Sequence, residues 1–141
     1  MELLLADDID LDNTLPEASR RYMTAVTDMQ HKLKDINRLR SAHIPVPARK
    51  MWALGDIIFK LNEGLGELSL QIDSLYSHLS RDLGVKRKWL EKIVILRRYV
   101  AREDTIPSGL NWGRCEKGTR RVAENLSRGI VPATKTVMTQ V

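Results

Sequence analysis

The stretch LYSHLSRDLGVKRKWLEKIVILRRY, from Leu75 to Tyr99, reads as two helices meeting at a tight corner. Leu75, Leu79 and Leu83 recur every four residues and share one helical face. Gly84 stands where the first helix must end, because glycine takes the left-handed backbone that lets the next helix start at a steep angle. Val85, Leu90 and Ile93 supply the apolar contacts of a second helix, and small Ser80 lets the two helices approach. Together these positions make the pattern of a helix-turn-helix over about residues 75–99. With Val85, Leu90 and Ile93 turned inward, Lys86, Arg87, Lys88, Glu91, Lys92 and Ile95 are left on the outer side. Those are the positions a recognition helix presents to a major groove, with the basic cluster at its N-terminal end. A plain helical hairpin with a solvated basic face has the same spacing, so DNA contact is an expectation here.

Charge is distributed in keeping with that expectation. The chain of 141 residues carries a formal net charge of +5. Met1 to Glu17 nevertheless holds six acids (Glu2, Asp7, Asp8, Asp10, Asp12, Glu17) and no base. Between Arg81 and Arg128 there are thirteen Lys/Arg against six Asp/Glu, so positive charge is concentrated in the half that contains the corner. Such segregation is the footprint of a protein that neutralises phosphates.

Upstream, residues 1–13 read as an acidic arm rather than a secretory leader, since the short apolar run has no basic lead. The arm is a candidate cover for the basic surface. Thr14, Pro16 and Glu17 suit a capping box, and a long helix follows to about Arg40. Tyr22, Val26, Met29, Leu33 and Ile36 alternate steps of four and three, a narrow seam of coiled-coil type. It fits an antiparallel partner inside the chain or the same helix of a second subunit, which makes these five the candidate oligomerisation residues. Pro45 and Pro47 make SAHIPVP a linker, and a helix is expected from Pro47 to about Asn62, broken by Gly64 and Gly66. A third helix is expected over about Glu67–Leu83 and a fourth, the recognition helix, over about Lys86–Arg102. Arg97, Arg98 and Arg102 near its end suit the helix dipole.

Downstream, EDTIPSG at Glu103–Gly109 is a loop or a short wing. Trp112, Cys115, Thr119, Val122 and Leu126 then fall on one stripe of a last helix, closed by Gly129 and Pro132. Residues 14–129 therefore form one helical domain and 130–141 a flexible tail. The expected fold is all-α, with about five helices and no strand pair.

Little points to catalysis. One cysteine excludes an internal disulfide, and His31, His43 and His78 are scattered without ligand spacing, so no metal or cofactor is expected. Asp7, Asp8, Asp10 and Asp12 lack the glycine and terminal glutamate of a calcium loop. No apolar run approaches the ~20 residues that span a bilayer, and a cytoplasmic protein is expected. Aromatic residues make up only 5% of the chain, so Trp89 and Trp112 read as core anchors rather than platforms for stacked bases.

From Met51 to Leu126 the order of landmarks resembles the N-terminal helical domain of YhcG-type nucleases of the PD-(D/E)XK superfamily. MWALGDII, LSRDLGVKRKWLEKIVILRRYV, a proline-containing loop and LNW opening a last helix carry the resemblance. It implies a DNA-binding helical module, and the absence of a D…(D/E)-x-K constellation on strands implies one without the catalytic part. By analogy such a module is an accessory or regulatory part of a mobile-element or defence system. The expected function is thus non-enzymatic binding of double-stranded DNA. Lys86, Arg87 and Lys88 would make the first contacts, Lys92 a deeper groove contact, and Arg114, Lys117 and Arg121 phosphate clamps. The alternative is a helical structural or assembly subunit, dimeric through the Tyr22–Ile36 seam or docked in a larger complex, that touches RNA or DNA through charge alone.

Overall fold

A computed structural model describes residues 3–5, 11–68, 70–72 and 75–132. Its core is a long helix α1 (Leu11–Ser41) folded back on α2 (Ala48–Glu67). Two helices follow at the corner, α3 (Leu75–Leu83) and α4 (Arg87–Tyr99), then a 3-10 turn at Glu103–Thr105, α5 (Trp112–Glu116) and α6 (Thr119–Ser127). The architecture is all-α, apart from a ribbon in which β1 (Leu3–Leu5) pairs antiparallel with β2 (Leu70–Ile72), Leu3 opposite Ile72. The pairing of Leu3–Leu5 gives part of the N-terminal arm a partner that its acidity did not suggest, while Ala6–Asp10 lies outside the described residues.

Tertiary packing moved several boundaries. Helix α1 begins at Leu11 and runs through Thr14, so the expected capping box lies inside the helix, as does Pro16. Helix α2 continues past Gly64 and Gly66 to Glu67. Burial of Leu61 and Leu65 extends its apolar stripe, and Arg21 Nη1 donates to the Gly64 carbonyl at 2.8 Å. Packing outweighs the ~1 kcal/mol that each glycine costs a helix. The third helix is shorter than expected, because β2 occupies the start of its stretch. The last helix is broken at Gly118, whose φ of +68° is left-handed, so its stripe is shared between α5 and α6. Cys115, Thr119, Val122 and Leu126 are all still buried, and so is Trp112.

The seam of α1 closes within the chain. Tyr22, Val26, Met29, Leu33 and Ile36 are all buried in the core that α1 shares with α2 and α3. Tyr22 also donates to Asp82 Oδ2 at the end of α3. Burial, and then this hydrogen bond, raises the Tyr22 phenol well above its ordinary pKa. These side chains are therefore covered within one molecule, the first of the two partners that the narrow seam allowed.

Helix α2 is the hub. At its crossing with α4, a Cβ built on Gly55 would lie 2.4 Å from the Ile93 carbonyl oxygen. One residue on, Asp56 meets Arg97 at 2.7 Å, with the two side chains only 16% and 14% exposed. The Arg97 guanidinium also lies 4.1 Å from the centre of the Phe59 ring and 5.2 Å from that of Trp52. Arg97 is thus a tie between helices, more than the dipole partner its place near the helix end suggested. Trp52 Nε1 donates to Val100 O, and Arg49 Nε to Ile106 O, which holds the segment after α4 against α2. The linker is fixed by Ala48 N to Leu110 O and Trp112 N to Val46 O.

Gly55→Ala should destabilise the protein by about 1–3 kcal/mol or more in urea unfolding, because a backbone atom must move. Gly66→Ala, with nothing within 4 Å of the added carbon, should be neutral or stabilising. Equal midpoints for the two variants would refute this account of the crossing. Burial alone would raise the Asp56 carboxyl, but hydrogen bonds from Arg97 and Lys60 outweigh it and hold the pKa below the ordinary 3.8. Its contribution to stability is therefore complete above that pH and is lost as pH falls through the depressed folded value. Asp56→Asn should be less stable than the native chain at pH 7, and the gap should narrow below about pH 4.

Candidate nucleic-acid interface

The corner between α3 and α4 is built on one carbonyl. Ser80 O accepts from Gly84 N at 2.9 Å and from Val85 N at 3.2 Å, and Gly84 has φ +68°. The longer-range bond is that of a Schellman cap, which a left-handed residue after the helix permits. The Ser80 hydroxyl donates onward to Val85 O, so this small residue pins the turn as well as making room for it. Leu79, Leu90 and Ile93 are fully buried, and Val85 packs against the same core.

What remains outside on α4 and just before it is Lys86, Arg87, Lys88 and Arg98, with Glu91, Lys92 and Ile95 half-buried at the margins. Arg87 is engaged at home: Nε donates to Glu91 Oε1 at 3.2 Å and Nη1 approaches Ser77 Oγ of α3 at 3.4 Å. Lys86, Lys88 and Lys92 make no ion pair with any described residue, and neither do Lys117 and Arg121 of the α5–α6 region. Arg114 is exposed on α5. Several nearby carboxylates are already taken, although among the described residues Glu116 is not. Asp82 is held by Tyr22 and Arg81, Asp104 by Arg102, and Glu124 by Arg120.

Two adjoining grooves bring in residues the sequence reading passed over. One, of about 600 Å³, separates the second half of α1 from the corner and is lined by Lys34, Arg40, Lys86, Trp89 and Glu116, among others. The other, of about 430 Å³, is lined by Arg40, Asn111, Trp112, Arg114 and Glu116. Arg40 and Glu116 form the wall between them. The structure therefore places Lys86 and Arg114 on neighbouring grooves, while Lys88, Lys92, Lys117 and Arg121 line neither. Arg40 stacks 5.2 Å from the centre of the Trp89 ring. Both Trp89 and Trp112 have a buried indole N–H without a hydrogen-bond partner. Lys34 and Arg40 lie far from the corner in the chain, and Arg40 in sequence suits only the dipole at the end of its helix.

Among the described residues no group of three or more His, Cys, Asp or Glu is placed to hold a metal ion. A cavity of about 400 Å³ gathers His31, Asp35, Lys50 and Glu103. Hydrogen bonds from Lys50 and Arg38 hold the Asp35 carboxyl below its ordinary pKa, which makes it a poor proton acceptor. Cys115 is fully buried, and burial pushes its thiol up to about 11. No helix among the described residues is long and apolar enough to cross a membrane.

The chain matches no known protein family, no curated protein and no solved structure.

Because reactivity follows the thiolate, Cys115 should be nearly inert to Ellman's reagent at pH 8 in the folded protein and react at once in guanidinium chloride. Rapid reaction of the native chain would show that this site opens.

Proposed function

We propose that the chain binds double-stranded DNA, with the Gly84 corner acting as a helix-turn-helix and the outer arc of α4 entering the major groove. The observation that carries the reading is the absence of any ion pair at Lys86, Lys88 and Lys92 among the described residues, while Asp82, Glu91, Asp104 and Glu124 are engaged by other groups. Cations left uncompensated side by side repel one another, and a polyanion relieves that repulsion while releasing its own counterions. Lys86 and Lys88 would make the first phosphate or base-edge contacts, and Lys92 would reach deeper along the groove. Arg87, tied to Glu91, contributes to placing α4 as well as to charge. Arg114, Lys117 and Arg121 serve as flanking phosphate contacts. The role is that of a non-catalytic module, as the resemblance to the helical domain of YhcG-type nucleases implies, and an accessory place in a defence or mobile-element system rests on that resemblance alone.

The experiment is fluorescence anisotropy with a labelled random duplex over a salt series, for the native chain and a Lys86, Lys88, Lys92 triple-alanine variant. Native binding that the variant loses, with a salt slope smaller by about 2–3, is the expected result, at about 0.9 per phosphate contact. A sequence preference that survives added salt, found by selection from random duplexes, would mark a groove reader. Equal binding by both proteins would defeat the assignment to α4, and binding without preference would leave only charge-driven contact.

A further inference from the structure

We infer that the groove between α1 and the corner is a second phosphate-binding site, which takes the nucleic-acid backbone where it runs past Lys86 and away from α4. The inference rests on the proposed DNA binding and extends it to an element outside the helix-turn-helix. Lys34, Arg40 and Lys86 line this groove of about 600 Å³, against a single carboxylate, Glu116. None of the three cations forms an ion pair among the described residues. The arginines elsewhere on α1, Arg20, Arg21 and Arg38, are each paired with a carboxylate, whereas Lys32, on another cavity, is not among the described residues. On the side of α1 that faces the corner, then, Lys34 and Arg40 are both left without a carboxylate among those residues.

The chemistry of the groove selects a phosphodiester over a base. The Trp89 face is covered by the Arg40 guanidinium, which leaves no open aromatic platform for stacking. That stacking also holds the planar guanidinium in place, ready for bidentate contact with phosphate oxygens. Asn37, also on the groove wall, adds an amide donor of the kind that commonly meets a phosphate. Lys34 and Arg40, six positions apart on one helix, are separated by about 9 Å of rise, a span of about two to three nucleotides at 3.4 Å each. Lys86 belongs both to this groove and to the start of α4, so a strand touching it has cations on either side.

The test compares the native chain with a Lys34→Ala, Arg40→Ala variant by anisotropy on a labelled random duplex from low to high salt. The variant should bind about tenfold or more weakly near 0.1 M salt, and its log–log salt slope should fall by about 1.8, two contacts at about 0.9 each. Arg40→Lys, in a chain with native Lys34, should keep the native slope because the charge remains. If the double variant fails to fold, as a circular dichroism melt would show, Lys34→Ala alone changes only an exposed side chain and should lower the slope by about 0.9. No duplex binding by the native chain would overturn the parent reading along with this one. Native binding that is lost on removing Lys86, Lys88 and Lys92 but unchanged in affinity and slope in the Lys34, Arg40 variant would overturn this inference alone. ATP binding that the double variant loses, with duplex affinity unaltered, would overturn it in favour of a site for small free anions.

Discussion

The crossing of α2 over α4 is the constraint on which the rest of the molecule depends. At Gly55 the two helices approach until a backbone carbonyl of one occupies the place a side chain would take on the other. The missing methyl brings Asp56 within reach of Arg97, and the Arg97 guanidinium in turn fills the space between Trp52 and Phe59. Small residue, ion pair and aromatic walls are one arrangement: widening the crossing by the size of a methyl group would loosen all of them. Because α4 is held from behind in this way, its outer arc is set by the core and not by the flexibility of the corner.

A contrast in charge management follows from that geometry. The interior cation, Arg97, is satisfied by a carboxylate and two rings, as a poorly solvated charge must be. Those around the corner are left to solvent, where each costs little alone but several in proximity raise the local potential. At the corner Glu91 and Asp82 engage the arginines Arg87 and Arg81, while Lys86, Lys88 and Lys92 have no carboxylate partner among the described residues.

Much of this was legible in the sequence where the signal was local. Leu79, Ser80, Gly84, Leu90 and Ile93 announced the corner because capping and period are properties of a few neighbouring residues. The seam from Tyr22 to Ile36 was visible as a buried face, but its partner was not, since periodicity states that a face is covered and not by what. Gly64 and Gly66 were read as a break because propensity is local, whereas the packing of Leu61 and Leu65 that overrides it is not. Gly118 is the reverse case: an unbroken apolar stripe concealed a left-handed residue between two short helices. At the site, Lys86, Lys88 and Lys92 could be placed by counting from Gly84. Lys34 and Arg40 could not, because only the antiparallel return of the chain through α2 brings the corner beside α1.

The ribbon of Leu3–Leu5 with Leu70–Ile72 has a kinetic meaning. All of α1 and α2 lies between its strands, so forming it first would close a long loop for the return of only a few backbone hydrogen bonds. Once α1 and α2 have docked antiparallel, the ends of that loop are already neighbours and the closure costs little. Pairing of the ribbon therefore belongs after the transition state for folding, and its amides are expected to be among the early ones to exchange with solvent.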